Sequence, residues 1–388
     1  MASTPTPTPA PAPATDKLTI GSLVDGTPDG RDRFVDFLRA FSIIVVVLWH
    51  WVFSVTQWVD GGLAMPNPVG EIPGLWTATW LLQIMPVFFF VGGYANLASW
   101  EAVEAGGGGG REFIAGRLRR LLKPIGLFVA LWGATEIVGR LVIPGYVSVW
   151  TWGFVVFVPL WFLGVYLGVV LLTPVTARLH LLGRELVIVL TGVALVIAEL
   201  ERVRFDQRWL WPLTSALVWV FVHQLGYFWR DGTLTVAGAA GRRRAWALTI
   251  GGFGALVLLT NLGVYPRSMV SLAGEDSNIL PTTPCIAALA VFQLGVAMLL
   301  RPAALRWLAR RRPWTFTVGV NAVAMTVFTW HMTALVGAIG IYQLFGGELM
   351  ASPTAAWWAQ RPLWLLLPGI LLAGLVALFA RFELPKRK

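Results

Sequence analysis

The feature that most constrains this chain is a series of apolar runs, separated by charged or Pro/Gly-rich segments. Most of the runs are about 20 residues long, the length at which a helix crosses the hydrocarbon core of a bilayer. Only helices and closed barrels satisfy their backbone hydrogen bonds there. The chain is also 56% hydrophobic and only 13% charged, more apolar than a soluble core of this size needs. The runs therefore predict an all-α, polytopic integral membrane protein.

Ten candidate transmembrane helices can be assigned from these runs. They cover residues 37–58, 75–98, 124–143, 152–173, 185–200, 209–229, 245–264, 282–300, 314–343 and 362–380. The fifth run is short, whereas the ninth is long enough to predict a tilted or broken helix.

The basic residues are divided unequally between the two sides of these spans. If the N-terminus lies in the cytoplasm, 24 of the 30 Lys and Arg residues are cytoplasmic. The remaining six are Arg140, Arg202, Arg204, Arg208, Arg267 and Arg361. The positive-inside rule and the even number of spans therefore predict a multi-pass cell-membrane protein with N-in/C-in topology, both termini being cytoplasmic.

The domain organisation follows from the same pattern. Residues 1–30 begin with a Pro/Ala/Thr-rich run that lacks the basic and apolar regions of a signal peptide, which predicts a disordered cytoplasmic tail. Residues 31–382 are predicted to form one transmembrane domain, and residues 383–388 a basic cytoplasmic tail. The net charge of +10 is divided among short clusters between apolar runs, so it indicates membrane topology and argues against a nucleic-acid partner.

The first span contains two polar residues, Arg39 and His50, that are eleven positions apart. Eleven helical steps of about 100° place both on one face, about 16 Å apart along the axis. A cation and an imidazole cost free energy in hydrocarbon, so a membrane helix keeps them for a cavity, a partner or a reaction. Arg39 alone could simply snorkel at the cytoplasmic end, with Asp36 three residues earlier as its ion-pair partner. A neutral His50 can accept a proton, which makes it a candidate general base.

A second candidate element is the basic segment before the third span. Arg117 and Arg120 lie at positions i and i+3, and Lys123 follows, so one helix surface could bind several phosphates. An ordinary positive-inside cluster is the competing interpretation. In the second span, the adjacent Gly92 and Gly93 permit close approach either of another helix or of an extended ligand.

Further polar residues are supporting candidates. Glu136 lies four residues before Arg140 in the third span, so mutual neutralisation and acceptor binding both remain open. His331 in the ninth span is a candidate for the far side of a cavity that contains His50. The chain has one cysteine, Cys285, and lacks an HExxH motif and a Cys/His cluster, so no metal site is predicted.

Together, these elements resemble the membrane acyltransferase 3 family in their order and spacing. The pattern comprises Arg39-x10-His50, Phe-Phe-Phe-Val-Gly-Gly-Tyr at residues 88–94, Arg117-x-x-Arg120-Leu with Pro124, Trp-Phe-Leu at 161–163 and Phe-Thr-Trp-His at 328–331. It covers most of the chain from Arg31 to the ninth span. Many members of that family have Ser-Gly at the position of the glycine pair, so any role of that serine hydroxyl is lost here.

The resemblance implies a ten-helix acyltransferase domain over residues 31–382. It implies transfer of an acyl group, often acetyl, from cytosolic acyl-CoA to a hydroxyl of a glycan, glycolipid or small-molecule acceptor, with no permanently bound cofactor. It also implies that His50 is catalytic and Arg39 essential, and it assigns Arg117 and Arg120 to the family's Arg-x-x-Arg element. We hypothesise that His50 is the general base for direct attack on the thioester; an acyl-histidine intermediate is the alternative.

Two other function classes remain compatible with these residues. A secondary transporter or flippase would use His50 and Glu136 as proton relays, although the chain has no clear internal repeat. The cytoplasmic arginines of this chain are also better suited to binding phosphates than to ion coupling. A membrane sensor or scaffold would tolerate alanine at both Arg117 and Arg120.

Overall fold

The computed structural model describes residues 19–235, 237–272 and 277–383. Of these residues, 76% are helical and 2% are in strands, which confirms the predicted all-α class. A hairpin pairs β1 (Gln57–Val59) with β2 (Gly62–Ala64). The helices are α1 (Ile20–Asp25), α2 (Arg33–Val52), α3 (Trp76–Leu82), α4 (Met85–Ala105), α5 (Gly110–Val142), α6 (Val149–Trp152), α7 (Leu160–Arg204), α8 (Trp211–Arg230), α9 (Gly238–Asn261), α10 (Pro284–Leu308), α11 (Arg311–Ala322), α12 (Ala324–Leu344), α13 (Ala355–Ala359) and α14 (Arg361–Phe379).

Seven helical stretches among the described residues are long and apolar enough to cross a membrane. They are Arg33–Val52, Trp76–Ala105, Gly110–Val142, Phe154–Arg204, Pro284–Leu308, Ala324–Leu344 and Arg361–Phe382. This confirms a multi-pass membrane protein. The longest stretch contains α7, whose backbone leaves helical geometry at Gly183, between the predicted fourth and fifth spans. Predicted spans 209–229 and 245–264 coincide with α8 and α9, which are outside the seven, so the count of ten and the orientation stay predictions.

The second predicted span is a broken helix. Its two parts, α3 and α4, are separated at Gln83 and Ile84. Gln293 of α10 compensates for the break, since its Nε2 donates to the main-chain oxygens of Trp80 (3.3 Å) and Gln83 (3.0 Å). A side-chain amide thus satisfies carbonyl groups that a continuous helix would have satisfied itself.

The ninth predicted span is also broken, as its length suggested. Helices α11 and α12 are separated at Val323, which leaves the first main-chain N–H groups of α12 without helical partners. Glu383 supplies acceptors for two of them, because its carboxylate binds the amides of Met325 (2.9 Å) and Thr326 (2.8 Å). The chain end following α14 therefore stabilises the start of α12.

One end of the bundle is held together by Asp32, the N-cap of α2. Its carboxylate accepts hydrogen bonds from the main-chain amides of Phe34 (3.0 Å) and Val35 (3.3 Å). It also accepts from the indole of Trp229 in α8 (3.0 Å) and from Arg301 in α10 (3.2 Å). We call this the Asp32 end of the bundle.

The opposite end is formed by the connections that follow α2 and α9 and by α13, which directly precedes α14. Here Asn67 donates from Nδ2 to the carbonyl oxygen of Ser271 (3.2 Å), and Trp80 donates to that of Arg267 (2.9 Å). We call this the Asn67 end. Helix α2 runs from the Asp32 end to the Asn67 end.

Helices α4 and α8 make their closest approach at facing glycines. A Cβ atom on Gly93 would lie 1.9 Å from the carbonyl oxygen of His223, and one on Gly226 would lie 2.1 Å from that of Phe90. A Cβ on Gly92 would lie 2.6 Å from the ring of a tyrosine, Tyr166 in α7. The glycine pair of the second span therefore packs against other helices.

Part of the predicted N-terminal tail is ordered against the bundle. Residues 20–25 form α1, and Asp25 pairs with Arg311 at the start of α11 (3.1 Å). The hydroxyl of Thr27 accepts a hydrogen bond from the indole of Trp314 (3.1 Å). The rest of that tail, residues 1–18, and residues 384–388 of the predicted C-terminal tail lie outside the described residues.

Candidate functional site

Arg39 and His50 line two different cavities. Arg39 borders a cavity of 450 Å³ at the Asp32 end, and His50 borders one of 330 Å³ toward the Asn67 end. Helix α2 is continuous between the two residues, as the sequence predicted, but it ends at Val52. His50 therefore lies in the last turn of the helix, where loop residues can reach it.

Basic side chains dominate the cavity at the Asp32 end, which we call the cationic cavity. Helix α5 supplies three of them, because positions three and four apart share a helix face. The ionisable lining residues are Arg31, Arg39, Arg119, Arg120, Lys123, Asp36 and Glu383. The formal excess of three positive charges makes this cavity suited to a polyanionic ligand.

Arg39 is held in place at the wall of this cavity. Its Nε donates to Oδ1 of Asn321 in α11 (2.7 Å), and its Nη2 lies 3.5 Å from a carboxylate oxygen of Asp36. Asn321 in turn donates to the main-chain oxygen of Asp36 (2.8 Å). Arg31 pairs with the same carboxylate. Asp36 thus contacts both arginines. The sequence predicted this contact for Arg39.

Arg117 does not line the cationic cavity. It donates to the main-chain oxygen of Ala95 in α4, and its guanidinium carbon lies 5.7 Å from the ring centroid of Phe113. The structure therefore brings Arg120 and Lys123 to Arg39, and leaves Arg117 in the interface between α4 and α5.

His50 and His331 are in direct contact. His50 Nδ1 lies 3.0 Å from His331 Nε2, and the ring centroids are 5.1 Å apart. His331 Nδ1 lies 2.6 Å from the carbonyl oxygen of Phe328, one turn earlier in α12. The indole of Trp51 donates to the main-chain oxygen of His331 (3.1 Å), which ties α2 to α12 at this point. His331 therefore lies behind His50, not across the cavity from it as we expected.

The cavity that contains His50, which we call the neutral cavity, is mostly apolar. Among the described residues that line it, His50 is the only ionisable one. The other hydrogen-bonding side chains are Trp49, Ser54, Asn67, Gln83, Trp161 and Ser271. This lining fits a ligand that carries hydroxyl groups and no charge at the point of contact.

The two cavities follow one another along the bundle. Met325 lines the cationic cavity and Phe328 lines the neutral one, and they are three residues apart in α12. Three residues of helix rise by about 4.5 Å. A ligand that extends from one cavity to the other would therefore have to pass only about one turn of α12.

Glu136 lies outside both cavities. Its carboxylate pairs with Arg140 and accepts hydrogen bonds from the hydroxyl of Ser148 (2.9 Å) and the main-chain amide of Val149 (2.9 Å). These contacts join α5 to the start of α6. They favour the neutralisation interpretation over acceptor binding or proton relay.

Several lining residues were not foreseen. Asn67 and Ser271 are 204 positions apart and come from separate connections, yet they are hydrogen-bonded at the mouth of the neutral cavity. Glu383 lines the cationic cavity although it belongs to the predicted C-terminal tail. Loop residues have no helical periodicity, so nothing in the sequence pattern linked them to His50 or Arg39.

A family model described as an acyltransferase domain matches residues 32–382 of the chain. That range contains every residue that lines the neutral cavity and ten of the fourteen that line the cationic cavity; the other four are Leu23, Thr27, Arg31 and Glu383. No curated protein and no solved structure matches the chain.

Proposed function

The chain belongs to the acyltransferase 3 family, and from that premise we propose that it transfers an acyl group from acyl-CoA to a hydroxyl of a membrane-accessible acceptor. Acetyl is the acyl group we expect, and a carbohydrate, glycolipid or small hydroxylated molecule is the expected acceptor. The observation that carries this proposal is that two residues of α2 line two cavities of different character: Arg39 lines a cationic cavity and His50 a neutral one.

The cationic cavity is the proposed donor site. The nucleotide end of CoA carries several phosphate charges, and arginine is well suited to bind phosphate because its guanidinium donates two parallel hydrogen bonds. Arg120, Lys123 and Arg39 line the cavity, and Arg119 and Arg31 extend it. On the proposed topology the Asp32 end faces the cytoplasm, where acyl-CoA is made.

The neutral cavity is the proposed acceptor site. The thioester would reach it along α2, since the axial separation of Arg39 and His50, about 16 Å, is comparable to the reach of the pantetheine arm. An uncharged hydroxyl compound can enter such a cavity without the desolvation cost of burying a charge. The acceptor would enter from the Asn67 end, on the side of the membrane opposite the donor.

His50 is the proposed general base. Its imidazole takes the proton of the acceptor hydroxyl while the oxygen attacks the thioester carbonyl carbon. The new C–O bond forms, the C–S bond breaks, and the departing CoA thiolate takes up the proton from the imidazolium. An acyl-histidine intermediate would use the same residue as nucleophile and remains the alternative route.

A transfer assay with purified protein in lipid nanodiscs tests this proposal. Acetyl-CoA is supplied together with membrane lipid and glycan fractions, and both free CoA thiol and an acetyl mass shift in the acceptor fraction are measured. The wild type should give both signals. His50→Asn should abolish both while acetyl-CoA still binds, because the donor site is in the other cavity.

His180→Asn is the matched control. His180 is also a buried histidine in a helix, but it pairs with Asp231 (3.1 Å) and lines neither cavity. It should retain transfer. Full activity of His50→Asn would refute the assignment of the base, and the absence of both acetyl-CoA binding and thiol release in the wild type would refute the donor. A transporter would release no thiol.

A further inference from the structure

The contact between the two histidines determines which nitrogen of each ring can carry a proton. The carbonyl oxygen of Phe328 can only accept a hydrogen bond, and it lies 2.6 Å from His331 Nδ1. His331 Nδ1 must therefore be the protonated nitrogen that donates. His331 is fully buried, and among the described residues no carboxylate pairs with it, so the neutral ring avoids the cost of an isolated buried charge.

A neutral His331 with its proton on Nδ1 has a bare Nε2. That nitrogen lies 3.0 Å from His50 Nδ1, a hydrogen-bond distance that requires one donor and one acceptor. His50 Nδ1 must then carry the proton. In the opposite tautomer of His50, two lone pairs would face each other at this distance and the buried hydrogen bond would be lost.

The second nitrogen of His50 is left for chemistry. His50 lines the neutral cavity, and its Nε2 has no hydrogen-bond partner among the described residues. We infer that His331 is a positioning residue that holds His50 in the tautomer protonated at Nδ1, so that a bare Nε2 faces the acceptor hydroxyl. The inference rests on the proposed function, which identifies His50 as the base, and adds His331 as the residue that sets the tautomer of that base.

The arrangement is similar to a catalytic triad, in which a third group orients the base and selects its tautomer. Here a neutral imidazole, itself fixed by a main-chain carbonyl, replaces the usual carboxylate. When His50 Nε2 takes the proton of the hydroxyl, Nδ1 keeps its own proton and its hydrogen bond to His331. No proton moves between the two rings, and the hydrogen bond persists through proton uptake.

The first test reads the tautomer directly and requires no activity. The chain has only four histidines, so ¹⁵N-histidine labelling of the full-length protein in nanodiscs gives four ring signal pairs. His50 is identified by the pair that disappears in His50→Asn. In the wild type we expect a protonated Nδ1 and an unprotonated Nε2 for His50. A His50 protonated at Nε2 and bare at Nδ1 overturns the inference.

The second test uses two substitutions of His331. His331→Phe keeps an aromatic ring but removes the acceptor, and we expect kcat for acetyl transfer to fall by about 10²- to 10⁴-fold with little change in KM for acetyl-CoA. His331→Gln offers an amide oxygen to His50 Nδ1 and should recover part of kcat. If His331 were only structural, Gln would be no better than Phe and folded yield would fall together with kcat.

These outcomes separate the inference from the proposed function. If His50→Asn is inactive but wild-type His50 is protonated at Nε2, the role of His331 is wrong and the acyltransferase proposal stands. If the tautomer is as inferred but no acetyl group is transferred, the proposed function is wrong and the hydrogen-bonded pair stands. If His331→Phe fails to fold, the wild-type spectrum and His331→Gln still decide the question.

Discussion

Gly93→Ala should destabilise the bundle by forcing α4 and α8 apart. The added Cβ would lie 1.9 Å from the carbonyl oxygen of His223, whereas real Cβ contacts are essentially never below 3.0 Å. The helices must therefore separate by about 1 Å, because a main-chain carbonyl cannot rotate away as a side chain can. Overpacking of this kind costs about 1–3 kcal/mol. The helix propensity gained by replacing glycine with alanine is about 1 kcal/mol, which leaves a net destabilisation of up to about 2 kcal/mol.

Thermal unfolding of the detergent-purified protein, followed by tryptophan fluorescence, measures this effect. Gly164→Ala in α7 is the matched control, since a Cβ there would have no heavy atom within 4 Å. We expect Gly93→Ala to lower the unfolding midpoint and Gly164→Ala to leave it unchanged or raise it. If Gly93→Ala keeps the midpoint but raises KM for acetyl-CoA, the glycine contacts the donor and the packing argument is wrong.

Two further predictions concern the cationic cavity. Arg120→Gln should weaken acetyl-CoA binding by about 10-fold and reduce the salt dependence of that binding, since one charge-assisted hydrogen bond is lost. Calorimetric titration at two salt concentrations measures both effects. Arg310→Gln, outside the cavity, is the control, and an equal effect of that substitution would contradict the prediction. Burial raises the pKa of Glu383, although hydrogen bonds from Met325 and Thr326 lower it, so the folded state holds this proton more tightly than the unfolded state. The wild type should therefore lose stability relative to Glu383→Gln as pH rises from the ordinary carboxyl value of 4.5 through the raised pKa. Unfolding midpoints measured across this pH range test the prediction, and a wild type that gains stability relative to Glu383→Gln would refute it.

The two helix breaks lie beside the two cavities. Gln83, at the break between α3 and α4, lines the neutral cavity, and Met325, just after the break between α11 and α12, lines the cationic one. Irregular backbone is tolerated at membrane depth only where protein or a cavity surrounds it. Both breaks are compensated by a side chain from a distant part of the chain, Gln293 and Glu383 respectively. Residues at both breaks therefore help to form the two cavities.

The sequence by itself determined the features that depend on local geometry. Apolar runs of membrane-spanning length identified the all-α membrane class, because a helix satisfies its backbone hydrogen bonds within a single segment of chain, as the hydrocarbon core requires. The same helical period placed Arg39 and His50 on one face of α2, and the helix is continuous between them. Both conclusions need only the rise and rotation of an α-helix.

Only the tertiary structure decided which side chains meet. Arg117 and Arg120 are three residues apart in α5, yet one contacts Ala95 and the other lines the cationic cavity. His50 and His331 are 281 positions apart and share a hydrogen bond. Such contacts depend on how helices pack and turn against one another, and the period of a single helix carries no information about its neighbours.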